Sequence, residues 1–163
     1  MESLAREVVE RYAAAGLKLA TVESCTGGMV AAAITDVAGS SAVLDRGFVT
    51  YSNEAKIELV GVDLSTLETH GAVSEPVARQ MAEGGVRRSM GKVAVSITGI
   101  AGPGGGSEAK PVGLVHFACA SPGGTTHREQ RFGDIGRVQI RSRSVETALR
   151  MLLDAAEEAQ AAR

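Results

Sequence analysis

The sequence predicts an α/β fold: a three-layer α/β/α sandwich built on a mixed sheet. Helical and strand patterns alternate up to about residue 100, which favours parallel strands covered by helices on both faces. Two neighbouring strand patterns then flank a Ser-Pro-Gly-Gly turn, which predicts an antiparallel hairpin in the same sheet. With 163 residues and no internal repeat or low-complexity linker, residues 1–163 are expected to form a single domain.

The first predicted element is an amphipathic helix over about residues 3–15. Leu4, Val8 and Tyr12 recur at helical spacing, and Gly16 suits the C-terminal end of the helix. This helix is expected to pack its apolar face on the sheet.

A strand, a tight loop and a second helix follow at residues 17–22, 23–28 and 29–38. Alternation predicts the strand, and the Ala-rich run after Gly28 predicts the helix. Ser24 or Thr26 is expected to cap that helix through its hydroxyl.

The middle of the chain contains a second strand and two further helices. Residues 39–41 break the chain, and residues 47–51 favour a strand. A short helix is predicted over 54–60. The Ser-Glu-Pro sequence at 74–76 is typical of a helix start, so a longer helix is predicted over 77–90.

The last third holds the remaining strands and the closing helix. Residues 92–98 read as a buried central strand, and a glycine-rich loop follows at 99–106. The hairpin strands are predicted at 113–120 and 125–132. A long helix is predicted over 137–159, and its expected inner residues are Val138, Val145, Leu149 and Leu152.

Composition excludes several classes of function. The net charge is −2 and aromatic residues make up 3% of the chain, so a nucleic-acid-binding surface is not expected. No apolar stretch approaches the roughly 20 residues needed to span a bilayer, and the N-terminus lacks the pattern of a signal peptide. Cys25 and Cys119 are far apart and form neither a CxxC pair nor a zinc pattern. We therefore expect a cytoplasmic protein without a metal or cofactor.

Three loops leave the carboxyl ends of predicted strands, at residues 23–28, 52–55 and 98–106. Ligand sites of α/β sheets lie beyond such ends. In the first loop, Ser24 stands at a strand-to-helix turn, where free backbone N–H groups favour an anion or an oxyanion. A helix cap followed by flexible glycines would give the same sequence, so the motif alone leaves both interpretations open.

The other two loops are less specific by themselves. Lys56 follows the second strand, and it could act as a base only if burial or a neighbouring cation lowered its pKa. A solvated surface lysine is the alternative. The glycines of loop 98–106 cost conformational entropy on folding, which favours a loop that binds a ligand.

Taken together, the segments ESCTGG, GSS, VTYSNEAK, GAVSEPVARQMAEG and TGIAGPGGG with KPVG resemble the family of the CinA C-terminal domain. The resemblance covers about residues 3–155. It implies a nicotinamide-nucleotide amidase of the PncC type, which hydrolyses nicotinamide mononucleotide to nicotinic acid mononucleotide and ammonia. Many relatives carry an additional domain similar to molybdopterin-binding proteins, whose activity is not expected here.

The resemblance also implies roles for particular residues. Ser24 matches the proposed nucleophile, and Tyr51 and Lys56 match the pair that activates it. Arg137 and Arg141 fall where the family has a basic residue that resembles a phosphate contact. The residues expected to contact substrate are Glu23, Thr26, Gly27, Gly28, Thr98, Gly99, Gly102, Gly104, Gly105, Arg137 and Arg141.

The roles implied by the resemblance lead to a mechanistic hypothesis, and three alternatives remain open. Lys56 is expected to accept the Ser24 proton directly or through Tyr51, and backbone N–H groups of loop 24–28 are expected to hold the oxyanion. The alternatives are a nucleotide-binding module without catalysis, an amidase for another small amide, and catalysis by Cys25. A homodimer is the default expectation for a small α/β domain.

Overall fold

The computed structural model describes residues 1–162 and contains a five-stranded sheet. The strands are β1 (Leu19–Glu23), β2 (Leu44–Val49), β3 (Val93–Gly99), β4 (Leu114–Ser121) and β5 (Gly124–Arg131). The α-helices are α1 (Glu2–Ala15), α2 (Met29–Thr35), α3 (Asn53–Val60), α4 (Leu64–His70), α5 (Glu75–Arg87) and α6 (Arg137–Ala161).

The sheet has the order β2-β1-β3-β4-β5 and is mixed. β2, β1 and β3 are parallel, whereas β4 is antiparallel to β3 and β5 is antiparallel to β4. The chain runs from β1 outward to β2 and then crosses over to β3 on the other side of β1. The carboxyl ends of β1 and β3 therefore flank the point where the strand order reverses, which is where α/β sheets form ligand crevices.

Helices cover both faces of the sheet, so the predicted three-layer sandwich is confirmed. α1, α2 and α6 pack on one face around the main apolar core. α5 packs on the other face, and α3 and α4 lie against α5. No helix within residues 1–162 has the length and apolar character needed to cross a bilayer.

Some predicted boundaries are wrong. α2 begins at Met29 as predicted but ends at Thr35 rather than at residue 38, and β2 covers Leu44–Val49 rather than residues 47–51. The helix α4 was not predicted, because one apolar residue, Leu67, is all that it buries and the pattern is too short to reveal helical spacing. Val138 is not an inner residue of α6: it is 74% exposed, because the first turn of that helix projects past the main core, which α6 enters at Ile140.

The cap expected at the start of α2 is also wrong. The residue before the helix is Gly28, at φ 105°, and no hydroxyl caps the helix. Instead the carboxylate of Glu23 accepts hydrogen bonds from the backbone N–H groups of Val30 at 2.8 Å and Ala31 at 3.1 Å. A buried carboxylate is the stronger acceptor and also complements the helix dipole, so it displaces a hydroxyl cap.

Candidate active site

A pocket of about 260 Å³ opens at the carboxyl ends of β1 and β3. All three loops that the sequence singled out contribute to it, together with the segment between α4 and α5. The lining residues are Ser24, Cys25, Tyr51, Asn53, Lys56, Ala72, Val73, Thr98, Gly99, Ala101 and Arg137.

Ser24 and Lys56 meet inside this pocket. Lys56 Nζ lies 3.1 Å from Ser24 Oγ and donates to the carbonyl oxygen of Thr50 at 2.9 Å. The local sequence explains the placement. Ser52 caps α3 by accepting from Ala55 N–H at 3.0 Å, so the helix starts directly after β2 and its first turn carries Lys56 back toward β1.

The surroundings of Lys56 favour the neutral amine. The residue is 2% exposed, and burial lowers the pKa of its ammonium group. Its hydrogen-bond partners within residues 1–162 are a hydroxyl and backbone carbonyls rather than carboxylates. A buried lysine with a lowered pKa beside a serine hydroxyl is able to take the proton of that hydroxyl.

Tyr51 approaches the pair through its backbone rather than its phenol ring. Its carbonyl oxygen lies 3.5 Å from Lys56 Nζ, whereas its hydroxyl accepts from Arg137 Nη2 at 3.2 Å. The side chain is 60% exposed at the pocket rim. The geometry therefore favours direct proton transfer from Ser24 to Lys56 over a relay through the Tyr51 hydroxyl.

The two arginines of α6 have different surroundings. Arg137 lines the pocket, and its Nη1 donates to Gly102 O at 2.9 Å. Arg141, one helical turn later, does not line the pocket. Its guanidinium donates to the carbonyl oxygens of Cys25 at 3.0 Å and Thr26 at 3.4 Å, behind the loop that carries Ser24.

Some of the remaining predicted substrate-binding residues line the pocket and others do not. Thr98 and Gly99 line the pocket, and Thr98 Oγ1 donates to Ala72 O at 2.8 Å. The predicted substrate residues that the structure leaves outside the pocket lining are Glu23, Thr26, Gly27, Gly28, Gly102, Gly104, Gly105 and Arg141. Both carboxylate oxygens of Glu23 accept hydrogen bonds from backbone N–H groups of α2. Gly104 and Gly105 lie on the exposed part of the glycine loop.

Sequence reasoning missed four lining residues. Asn53 lies beside Tyr51 in the YSNEAK segment, so its position next to a strand end was a usable signal. Ala72 and Val73 come from the segment between α4 and α5, which carries no polar motif. Ala101 lies in the glycine loop, between the predicted residues Gly99 and Gly102.

Cys25 is poorly suited to be the nucleophile. Burial raises the pKa of its thiol to about 12, so the thiolate is scarce at neutral pH. Arg141 and Lys56 lower that pKa only partly. Ser24, with its hydroxyl on Lys56, is the better placed of the two neighbouring groups.

Part of loop 24–28, which is expected to hold an oxyanion, keeps N–H groups available. Glu23 occupies the amides of Val30 and Ala31 at the start of α2, and Ser24 N–H is bonded to Ile97 O. The amides of Cys25, Thr26 and Gly28 have no oxygen acceptor among residues 1–162. Of these residues, Cys25 lines the pocket and directly follows Ser24, so its N–H is a candidate donor to negative charge developing there.

A second cavity has no lysine in its lining. A cavity of about 390 Å³ lies between β5 and α6 and holds the ion pair of Arg128 and Asp154. Its cysteine, Cys119, is buried with the pKa of the thiol raised to about 12. Residues 1–162 contain no group of three or more His, Cys, Asp or Glu side chains placed to hold a metal ion.

Comparison with solved structures supports the fold assignment. The competence/damage inducible protein CihA of Agrobacterium tumefaciens superposes with a TM-score of 0.93 at 55% identity, over 94% of each chain. A CinA superfamily protein of Escherichia coli superposes with a TM-score of 0.89 at 36% identity, over 93% of this chain and 88% of that one.

Comparison with protein sequences points to the same group. The nicotinamide-nucleotide amidohydrolase PncC of Escherichia coli K12 is 52% identical over 151 residues, which cover 91% of this chain and 90% of that protein. A CinA-like protein of Akkermansia muciniphila is 50% identical over 94% of this chain but only 37% of its own length. The profile of the CinA C-terminal domain matches residues 1–156. The chain therefore belongs to the family of the CinA C-terminal domain.

Proposed function

We propose that this protein hydrolyses the carboxamide of nicotinamide mononucleotide to nicotinic acid mononucleotide and ammonia. The observation that carries the proposal is the 3.1 Å contact between Ser24 Oγ and Lys56 Nζ inside the pocket. The substrate class is supported by the 52% identity to the protein named nicotinamide-nucleotide amidohydrolase.

The first half of the reaction acylates Ser24. Neutral Lys56 takes the proton from the Ser24 hydroxyl, and the oxygen attacks the carboxamide carbon. The amide of Cys25 donates to the resulting oxyanion, a type of contact worth about 3–4 kcal/mol in known cases. Lys56 then gives its proton to the departing nitrogen, so the C–N bond breaks and ammonia leaves.

The second half returns the enzyme to its starting state. Lys56 is neutral again after ammonia departs, and it takes a proton from a water molecule as the water attacks the ester carbon. The acid product forms, and the Ser24 oxygen recovers a proton from Lys56. One base thus serves both halves, which matches a pocket where a single buried amine contacts the serine.

The phosphate of the substrate is assigned to Arg137. Its guanidinium stands at the pocket rim and presently bonds a backbone carbonyl and the Tyr51 hydroxyl, both neutral acceptors. A phosphate forms stronger, charge-assisted hydrogen bonds and would replace them. Asn53, Thr98 and Gly99 complete the walls between Arg137 and Ser24.

The decisive test measures ammonia release from nicotinamide mononucleotide by the wild type, with and without EDTA, and by Ser24→Ala and Lys56→Arg. We expect turnover in EDTA by the wild type and loss in both variants, because arginine keeps its proton and cannot act as a base. A matched control is Lys18→Arg, an exposed lysine, which should leave the rate unchanged.

The alternatives give different results in the same assay. If the wild type releases no ammonia but binds the nucleotide in calorimetry, the protein is a binding module. If it neither hydrolyses nor binds the nucleotide, a panel of small amides tests for a different amidase substrate. Retained turnover in Lys56→Arg would contradict the proposed base.

We further propose that the protein acts in the cytoplasm as a homodimer. Exposed apolar side chains on and near the edge strand β2, such as Val49 and Tyr51, support the dimer. Sedimentation equilibrium at micromolar concentration tests it, and a monomer mass would contradict it.

A further inference from the structure

The guanidinium of Arg141 is hydrogen-bonded to backbone carbonyl oxygens of the protein outside the pocket lining. Its Nε donates to Cys25 O at 3.0 Å and its Nη2 donates to Thr26 O at 3.4 Å, across 116 and 115 positions of sequence. Both acceptors belong to the two residues directly after Ser24. One guanidinium thus ties the start of α6 to the turn that carries the proposed nucleophile.

Three backbone hydrogen bonds also hold the turn. Ser24 N–H is bonded to Ile97 O on β3, Gly27 N–H is bonded to Ser24 O, and Met29 N–H is bonded to Thr26 O. Gly27 has φ 57°, a left-handed conformation that a glycine adopts without cost. A Cβ at this position would lie 3.6 Å from Arg141 Nη2, so the guanidinium packs directly against the turn.

Peptide planarity converts these contacts into an orientation. The C=O and N–H of one trans peptide group point in opposite directions, so holding the oxygen fixes the amide. The Cys25 N–H belongs to the same peptide group as Ser24 O, which accepts from Gly27 N–H, and the Thr26 N–H belongs to the same peptide group as Cys25 O, which accepts from Arg141. Arg141 therefore orients the Thr26 N–H directly, and it holds the second of the two peptide planes that flank Cys25.

The amides of Val30 and Ala31 at the start of α2 are already taken by the carboxylate of Glu23. The N–H groups of Cys25, Thr26 and Gly28 have no oxygen acceptor among residues 1–162. An oxyanion on the substrate must therefore rely on N–H groups of the turn itself. A cation on the turn's carbonyl oxygens also polarises the peptide groups, which strengthens their N–H groups as donors.

We infer that Arg141 is a positioning residue that sets the Ser24–Thr26 turn, and not a ligand of the substrate phosphate. This inference rests on the proposed role of Ser24 as nucleophile. It predicts that loss of Arg141 lowers kcat with little change in KM, whereas loss of Arg137 raises KM. Small misplacement of a reacting group can cost up to about 100-fold in rate, so we expect a 10- to 100-fold loss of kcat.

The experiment compares Arg141→Met, Arg141→Lys and Arg137→Met with the wild type. Arg143→Met is the matched control, because Arg143 lies on the same helix, is exposed, and has no hydrogen bond to either loop within residues 1–162. Lysine keeps the charge but cannot reach two carbonyls in a fixed fork, so Arg141→Lys should recover only part of kcat. Thermal unfolding identifies any variant that fails to fold, and Arg141→Lys then carries the test.

A second readout does not depend on the substrate. A fluorophosphonate probe labels an activated serine, and mass spectrometry of the adduct reports the rate at Ser24. We expect slower labelling in the Arg141 variants and unchanged labelling in Arg143→Met. If the wild type labels at Ser24 and the Arg141 variants label equally fast, this inference is overturned while the proposed function stands. If the wild type is not labelled at Ser24, both fail.

Discussion

Lys56 combines burial and charge in a way that an ordinary lysine does not. Its side chain lies almost wholly out of water, among carbonyl oxygens and one hydroxyl, so its protonated form is poorly solvated. Burial lowers the pKa of the amine for this reason. The same environment that makes the residue costly to bury makes it usable as a base.

The pH dependence of kcat/KM follows from that lowered pKa. Below the pKa the amine is protonated and cannot accept the Ser24 proton, so kcat/KM should rise with pH. The midpoint of the rise should lie below pH 10.5, and kcat/KM should level off above that midpoint. Ammonia release between pH 6 and pH 10 measures the profile. In Lys56→Ala, added primary alkylamines should restore part of the rate in proportion to their neutral fraction. A profile that falls with pH over this range would contradict the assignment.

At the residue scale, the sequence predicted which side chains meet in the pocket better than it predicted the hydrogen bonds around them. Ser24 and Lys56 follow strands, and strand ends meet at one edge of a sheet, so their proximity was predictable. The difference between Arg137 and Arg141 was not predictable, because both lie on one face of α6 and only the tertiary packing shows which loop each contacts. The hydrogen bonds of Glu23 to α2 were not predictable for a related reason: the sequence does not show which backbone amides a carboxylate reaches.

At the scale of elements, β4 and β5 carry a pair of histidines beside the α5 helix. His116 Nδ1 lies 2.9 Å from His127 Nε2, so one of the two nitrogens must accept. The charged groups around the pair are Glu129 on β5, Glu75 and Arg79 on α5, and Lys110 on the loop before β4. Burial is the main cause that lowers the pKa of each ring.

This pair should make folding stability depend on pH. Both pKa values are lower in the folded protein than the ordinary value of 6.5, so the unfolded chain binds more protons as pH falls. The stabilising contribution is therefore complete above about pH 6.5 and is lost as pH drops below it. Urea unfolding at pH 7.5, 6.5 and 5.5 should show a falling midpoint.

The control for this prediction separates the pair from other groups. His127→Gln should flatten the change between pH 7.5 and 5.5, whereas His70→Gln, on an exposed residue, should not. The pKa of Glu75 is lowered by its hydrogen bond to Arg79, so this neighbouring carboxyl group does not titrate within this window. An unchanged slope in His127→Gln would show that the histidine pair is not responsible.

For the whole molecule, the sequence predicted the α/β/α layers but not the positions where helices approach one another closely. Alternating helix and strand patterns are sufficient for a mixed α/β/α sandwich, because few connections are compatible with them. Close contacts between helices do not produce a periodic pattern in the sequence. Gly84 and Gly85 in the last turn of α5 lower its helix propensity, yet both are buried where α5 packs against other elements.

Gly84 shows how a distant contact positions the candidate site. A Cβ at this residue would overlap the carbonyl group of Val60, at the end of α3, and α3 is the helix that carries Lys56. Gly84→Ala gains about 1 kcal/mol of helix propensity but must push α3 away, and overpacking of this kind costs about 1–3 kcal/mol, occasionally more. Because the obstacle is backbone rather than a flexible side chain, we expect a net loss of stability of about 2 kcal/mol.

The same displacement should reach the reaction, because α3 cannot move without moving Lys56 away from Ser24. We therefore expect Gly84→Ala to lower both the urea midpoint and kcat, although the residue lies outside the pocket lining. Gly123→Ala is the matched control, since a Cβ there would make only an ordinary contact of 3.7 Å with Ser121. If Gly84→Ala loses stability but keeps full kcat, the position of Lys56 is set by the first turn of α3 and not by the packing of α3 on α5.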